Sequence, residues 1–118
     1  MKTLKIGIMP RDQFQRRMLA IAAGKLTPKR NEPKIWFSSM KSLSEVLSDN
    51  NVWLLRLIHE HHPETLGELA RLSGRETSNL SRTLKTMEKY GIVELRKHDR
   101  KVQPVAKATA FDIQYAAG

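Results

Sequence analysis

Two stretches of this sequence hold side chains whose types and spacing could do chemistry. In the first, Ser78, Asn79, Ser81, Arg82, Lys85, Thr86 and Lys89 recur on one side of a run whose other side is apolar, with Thr77 as a further hydroxyl at its start. Short hydroxyl and carboxamide side chains near a helix start approach base edges without steric penalty. An arginine there reaches guanine acceptors or a phosphate, and lysines further along neutralise backbone charge. In the second, His59-Glu60-His61-His62 offers imidazoles and a carboxylate to a metal ion. The zinc-protease spacing His-Glu-x-x-His would need histidine at position 63, where Pro63 stands. No metal site is therefore expected, and the histidines read as helix-end residues that favour the negative end of the dipole when protonated. Trp36, Phe37 and Trp53 have the flat faces needed to stack on unpaired bases, but their apolar neighbours assign them to core packing. With no glycine-rich phosphate loop and no Ser/His/Asp grouping, neither an enzymatic activity nor a cofactor is expected.

The polar side chains of the first stretch need a rigid element to carry them, and the sequence supplies one. Leu80, Leu84 and Met87 fall at i, i+4 and i+7, with Tyr90 one turn on, which predicts a helix from about Glu76 to Tyr90 closed by Gly91. Before it, Thr65-Leu66-Gly67-Glu68 has the spacing of a capping box and opens a short helix with Leu66, Leu69 and Ala70 inward. Gly74 can take the left-handed conformation of a tight turn, and Arg75 follows in that turn as an expected DNA contact. After Gly91, residues Ile92–Lys97 are β-prone, His98-Asp99-Arg100-Lys101 forms a polar tip, and Val102–Lys107 gives a return strand. Pro104 cannot donate to a ladder, so that strand should be an edge. Arg96, Lys97, Arg100 and Lys101 would then lie near a flanking phosphate or minor groove. Helix, tight turn, helix and hairpin together predict a mainly α protein with a small β-sheet (α+β), a winged helix-turn-helix.

Upstream, Leu4, Ile6 and Ile8 alternate with polar or small residues, predicting a strand over Thr3–Met9. Pro10 suits the first turn of a helix, with Phe14, Met18, Ile21 and Ala22 inward and Gly24 as its stop. Residues 25–34 hold two prolines and four basic groups and read as a linker or arm. Ile35-Trp36-Phe37 is a short apolar stretch, and Ser42-Leu43-Ser44-Glu45 matches a capping box for a helix reaching Ser48 with Leu43, Val46 and Leu47 inside. Asp49-Asn50-Asn51 reads as a break and fresh cap before a central helix, Val52–His61, that Pro63 ends. The expected organisation is an N-terminal segment 1–34, a DNA-binding domain 35–109, and a tail or short strand 110–118. Phe14, Met18, Ile21, Phe111, Ile113 and Tyr115 lie outside the helix-turn-helix and need cover, which makes them the expected dimer interface.

Charge agrees with a polyanionic partner. The 118 residues carry 21 Lys+Arg against 12 Asp+Glu, a net +9. Residues 1–34 hold 9 basic and 2 acidic groups, 35–74 hold 3 and 5, and 75–107 hold 9 and 4, so a near-neutral middle separates two basic segments. Cysteine is absent, which excludes disulfides and thiolate sites and fits a reducing compartment. No long apolar run suggests a signal peptide or membrane span, so the expectation is a cytoplasmic protein.

The run from Leu66 to Val93, and within it Ser78-Asn79-Leu80-Ser81-Arg82-Thr83-Leu84 and Lys89-Tyr90-Gly91-Ile92-Val93, resembles the winged helix-turn-helix of MarR- and ArsR-type regulators. The resemblance covers about residues 50–107. With the N-terminal segment and Trp36-Phe37 included, the chain is similar to a small prokaryotic family of DNA-binding proteins, some of them antitoxins. The resemblance implies that Ser78, Asn79, Ser81, Arg82 and Lys85 contact double-stranded DNA. It implies a transcriptional regulator, a homodimeric repressor on a two-fold operator. Its alternative is an antitoxin that occludes a small protein toxin and autoregulates its operon. The metal-sensing cysteines of many ArsR-type proteins are missing, so that mode of sensing is not implied.

Overall fold

A computed structural model describes residues 2–116; Met1 of the 1–34 segment and Ala117 and Gly118 of the 110–118 tail lie outside the described residues. Along the chain run β1 (Thr3–Ile8), α1 (Arg11–Ala22), β2 (Ile35–Phe37), α2 (Met40–Val46), α3 (Asp49–His61), α4 (Leu66–Ser73), α5 (Thr77–Lys89), β3 (Val93–His98), β4 (Lys101–Ala106) and β5 (Ala110–Gln114). The fold is α+β and mainly helical, a winged helix-turn-helix with a second small sheet beside it.

The apolar faces read from the sequence build the main core. Leu54, Leu55 and Ile58 of α3, Leu69 of α4, Leu80, Leu84 and Met87 of α5, and Ile92 and Val93 at the start of the wing are all buried together. Each fully buried side chain of this size stabilises by about 1.5–3 kcal/mol, so the three helices and the hairpin base hold one another in place. A smaller cluster, Ile6, Ile8, Phe37 and Leu43, is joined to it through Ile35, Val46, Leu47, Tyr90 and Phe111, which pack against both. Phe37 stacks on Tyr90 with ring centroids 4.2 Å apart, fixing the second sheet to the C-terminal end of α5.

That second sheet has the order β2-β1-β5 and is parallel throughout. Ile6 pairs with Ile35 on one side and Ile113 on the other, and Thr3 with Ala110. One sheet thus draws strands from all three stretches that the sequence separated. Its Ile6 and Ile8 face lies on the core. On the opposite face Trp36 covers Gly7, where a Cβ would overlap the indole ring. α1 packs there: Phe14 meets Trp36 at 6.1 Å between centroids, and Arg17 lies over the same ring while pairing with Glu32. No residue of α1 is fully buried. The molecule measures 49 × 29 × 25 Å with a radius of gyration of 16.2 Å, above the roughly 13–14 Å of a compact domain this long.

Several local expectations are corrected. The cap of α2 is Ser39, whose Oγ accepts from the Ser42 N–H at 3.1 Å, so the helix starts before the Ser42–Glu45 match. The cap of α3 is Ser48, accepting from Asn51 N–H at 3.3 Å, and Asp49 already belongs to the first turn. In both cases the N-cap serine three residues before the orphan N–H accepts from it. Pro10 stands at the N-cap of α1, with ψ 147°, instead of within the helix. Ala22 is exposed. Trp53, expected in the core, is 48% exposed, because α3 already buries Leu54, Leu55, Leu57 and Ile58 and leaves its fourth side to solvent.

Candidate nucleic-acid interface

The α4–turn–α5 unit is fixed at each end by local chemistry. Thr65 Oγ1 accepts from Glu68 N–H at 3.1 Å, and the Glu68 carboxylate accepts from Glu64 N–H at 2.8 Å. The box therefore closes one residue further upstream than its usual form. α4 ends at Gly74, whose φ of 73° is left-handed, and its N–H bonds to the Ala70 carbonyl. Residues 75 and 76 complete the turn. Glu76 holds the N-cap position of α5 without a side-chain bond to the helix.

α5 has one fully buried stripe, Leu80, Leu84 and Met87, and one outward face. Ser78, Asn79, Arg82, Lys85 and Lys89 are exposed on that face, Ser81 is half-buried at its margin, and Thr77 is exposed in the first turn on the side of Leu80 and Leu84. Among the described residues, Arg82, Lys85 and Lys89 form no ion pair, so their charges remain available to a polyanion. The wing follows as the antiparallel pair β3–β4, from Val93 opposite Ala106 to His98 opposite Lys101. Its two-residue tip, Asp99-Arg100, uses a left-handed Asp99 at φ 56°, as hairpin turns of this length require. Arg96, Lys97, Arg100 and Lys101 are all exposed, with Arg96 reaching Glu94 at 3.4 Å. Pro104 faces Leu95 and is buried.

Arg75 stands apart from the other candidates. Its Nε donates to Asn79 Oδ1 at 2.8 Å, and its two terminal nitrogens donate to Asn51 Oδ1 and Thr83 Oγ1, each at 2.9 Å. One guanidinium thus ties the start of α3 to the first two turns of α5. Asn51 in turn donates to the Val46 carbonyl at 3.0 Å, extending the link to α2. At the far end, the Glu88 carboxylate accepts from Leu95 N–H at 3.0 Å and tethers the wing to α5. Asn51, Thr83 and Glu88 were missing from the sequence-based set, since a bond spanning 24 residues leaves no periodic signal.

The remaining candidates lie elsewhere. Phe14 and Phe111 are covered within the chain, by Trp36 and by the core, whereas Met18, Ile113 and Tyr115 are exposed and Ile21 half-buried. At the end of α3, Glu60 is held below the usual carboxylate range by a hydrogen bond from Arg56 Nε, at 2.9 Å, and by that charge. No group of three metal-binding side chains gathers among the described residues, nor is any helix there long and apolar enough to cross a membrane.

A protein-family model, HVO_A0114, matches residues 46–113. The chain belongs to the HVO_A0114 family. The HVO_A0114 span runs from the last residue of α2 through the helix-turn-helix and wing and ends inside β5, leaving β1, α1 and β2 outside it. The crystal structure of a predicted DNA-binding transcriptional regulator from E. coli is similar, with a TM-score of 0.48 and 18% identity over 83% of this chain and 84% of that one. No curated protein matches the chain.

Proposed function

We propose that this chain binds double-stranded DNA as a sequence-specific transcriptional regulator, with α5 in the major groove and the wing tip on the flanking backbone or minor groove. The observation that carries this reading is the outward face of α5. Ser78, Asn79, Arg82, Lys85 and Lys89 stand on a helix anchored by three fully buried residues, beside a hairpin that ends in Arg100 and Lys101. Arg82 reads a base edge or grips a phosphate. Lys85, Lys89, Lys97, Arg100 and Lys101 neutralise backbone charge, and Thr77, Ser78 and Ser81 contribute short hydrogen-bonding groups at the groove. Asn79 Oδ1 is occupied by Arg75, so Asn79 offers its amide N–H groups to acceptors on the bases.

One helix reads too few base pairs for useful specificity. The regulator therefore acts as a homodimer on half-sites about one helical turn, roughly 34 Å, apart. Repression follows if that operator overlaps a promoter. The test is binding to the DNA upstream of its own gene, titrated in salt and competed with random duplex DNA and structured RNA. Arg82→Ala and Asn79→Ala should each lose discrimination between operator and random DNA. Full discrimination by both would remove α5 as the reading element. The antitoxin alternative predicts that a toxin encoded next to the gene co-purifies with the chain in a stable complex.

A further inference from the structure

We propose that β5 is the dimerisation strand, and that its outer edge pairs antiparallel with β5 of a second copy about a two-fold axis at Ile113. The two three-stranded sheets would then join into one six-stranded sheet. This rests on the homodimer reading above and specifies its contact.

β5 is an edge strand. Among the described residues it pairs with β1 alone, so one row of its backbone N–H and C=O groups has no strand beside it. Natural edges are blunted by lysine, proline or brevity. The other edges here show those devices: β2 has three residues, and the wing carries Arg96, Lys97, Lys101 and Pro104. β5 is five residues long, with no lysine, arginine or proline, and Asp112 is its one charge. Just where cover is missing it presents apolar surface, with Ile113 46% and Tyr115 58% exposed.

The occupant is indicated by the order of residues. From 110 to 116 the chain reads Ala-Phe-Asp-Ile-Gln-Tyr-Ala, which has the same chemistry in both directions. Antiparallel pairing centred on Ile113 sets Ile113 against itself, Asp112 against Gln114, Phe111 against Tyr115 and Ala110 against Ala116. Each match is favourable: apolar on apolar, carboxylate on a carboxamide donor, aromatic on aromatic, small on small. The register also keeps Phe111 and Ile113 of both copies on the face that Leu4 and Ile6 share, with Tyr115 next in the same alternation, so the apolar side of the sheet stays continuous. Centring on Asp112 instead would set two carboxylates opposite each other.

The absence of cysteine makes the register directly testable in the full chain. Single variants Asp112→Cys, Ile113→Cys and Gln114→Cys, with Ser44→Cys as an exposed control, are oxidised mildly and run without reductant. Opposed residues have Cα atoms about 4.5–5.5 Å apart, inside the disulfide range of about 4.4–6.8 Å. Copies of residue 112, or of 114, are offset by about 7 Å along the strand and cannot bridge. Ile113→Cys should therefore cross-link at least tenfold faster than the other three, and a mixture of the 112 and 114 variants should cross-link with each other. Sedimentation should show a dimer for the unmodified chain and at least tenfold weaker association for Ile113→Lys. A dimer without the preference at 113 overturns the strand pairing and leaves the homodimer reading standing. A monomeric unmodified chain overturns both, while DNA binding by that monomer would still support the assignment of α5.

Discussion

Replacing Arg75 separates two roles that the sequence cannot distinguish. If Arg75 is a clamp, Arg75→Ala removes three hydrogen bonds, to Asn51, Asn79 and Thr83. At about 0.5–1.5 kcal/mol net for each bond, and with the side chain only half-buried, the loss should be about 1.5–3 kcal/mol. Arg75→Lys keeps the charge but has no fork; it can satisfy one partner at a time and should lose about 1–2 kcal/mol. For a chain of this size a loss of about 3 kcal/mol moves the urea midpoint by roughly 1–3 M, given a slope of about 1–3 kcal/mol per molar. The assay pairs that midpoint with the salt dependence of DNA binding. A clamp shifts the midpoint in both variants and leaves the number of phosphates contacted by folded protein unchanged. A phosphate contact does the reverse: Arg75→Ala lowers the salt slope by about one unit, and Arg75→Lys restores it. Variants within about 0.3 kcal/mol of the parent stability, with a reduced slope for alanine, would refute the clamp.

Three further outcomes are expected. Gly7→Ala forces its new methyl group against the Trp36 ring and should destabilise by about 1–3 kcal/mol; thermal unfolding should show the penalty largely vanish in a Trp36→Ala background, and a penalty of equal size there would count against the contact. Thr65→Ala removes the cap acceptor of Glu68 N–H and should cost about 1 kcal/mol in urea unfolding, whereas a neutral result would mean that water satisfies the donor equally well. Glu60 should titrate by NMR below its ordinary value of 4.5, because Arg56 bonds to its ionised form. The depressed value means that this pair contributes above the unfolded pKa and is lost as pH falls through the folded one. Arg56→Ala should bring the midpoint back up, and an unmoved midpoint would assign the shift to another cause.

The helix-turn-helix was legible because each of its signals is local. Leu80, Leu84 and Met87 repeat within one helix, Thr65 and Glu68 sit three residues apart, and Gly74 adopts the left-handed turn that its missing Cβ permits. The wing followed from its position after Gly91 and from the polar tip. What sequence reasoning missed depends on distant partners. Ile35–Phe37 becomes a strand only because β1 lies beside it, and three residues are too few to show a period. The serine caps of α2 and α3 compete with equally plausible neighbours a few residues away, and packing decides between them. Trp53 is exposed although the hydrophobicity of α3 gave it no reason to differ from Leu54 and Leu55. Arg75 carried charge in the right turn, so a contact with DNA and a bond to Asn51 look alike in one dimension.

The place of β1 at the centre of its sheet has a consequence for the order of assembly. One of its neighbours, β2, is within about thirty residues, but the other, β5, is more than a hundred residues downstream. During synthesis the helices and wing are complete before β5 emerges, and their contacts close over short loops. β1 must meanwhile wait with half its pairing unmet, and the cost of closing so long a loop falls on the final step. The strand that completes the sheet last is therefore β5, against a β1 that can already pair with β2. The pairing that joins the two ends of the described chain is thus the one that closes the longest loop in the sheet.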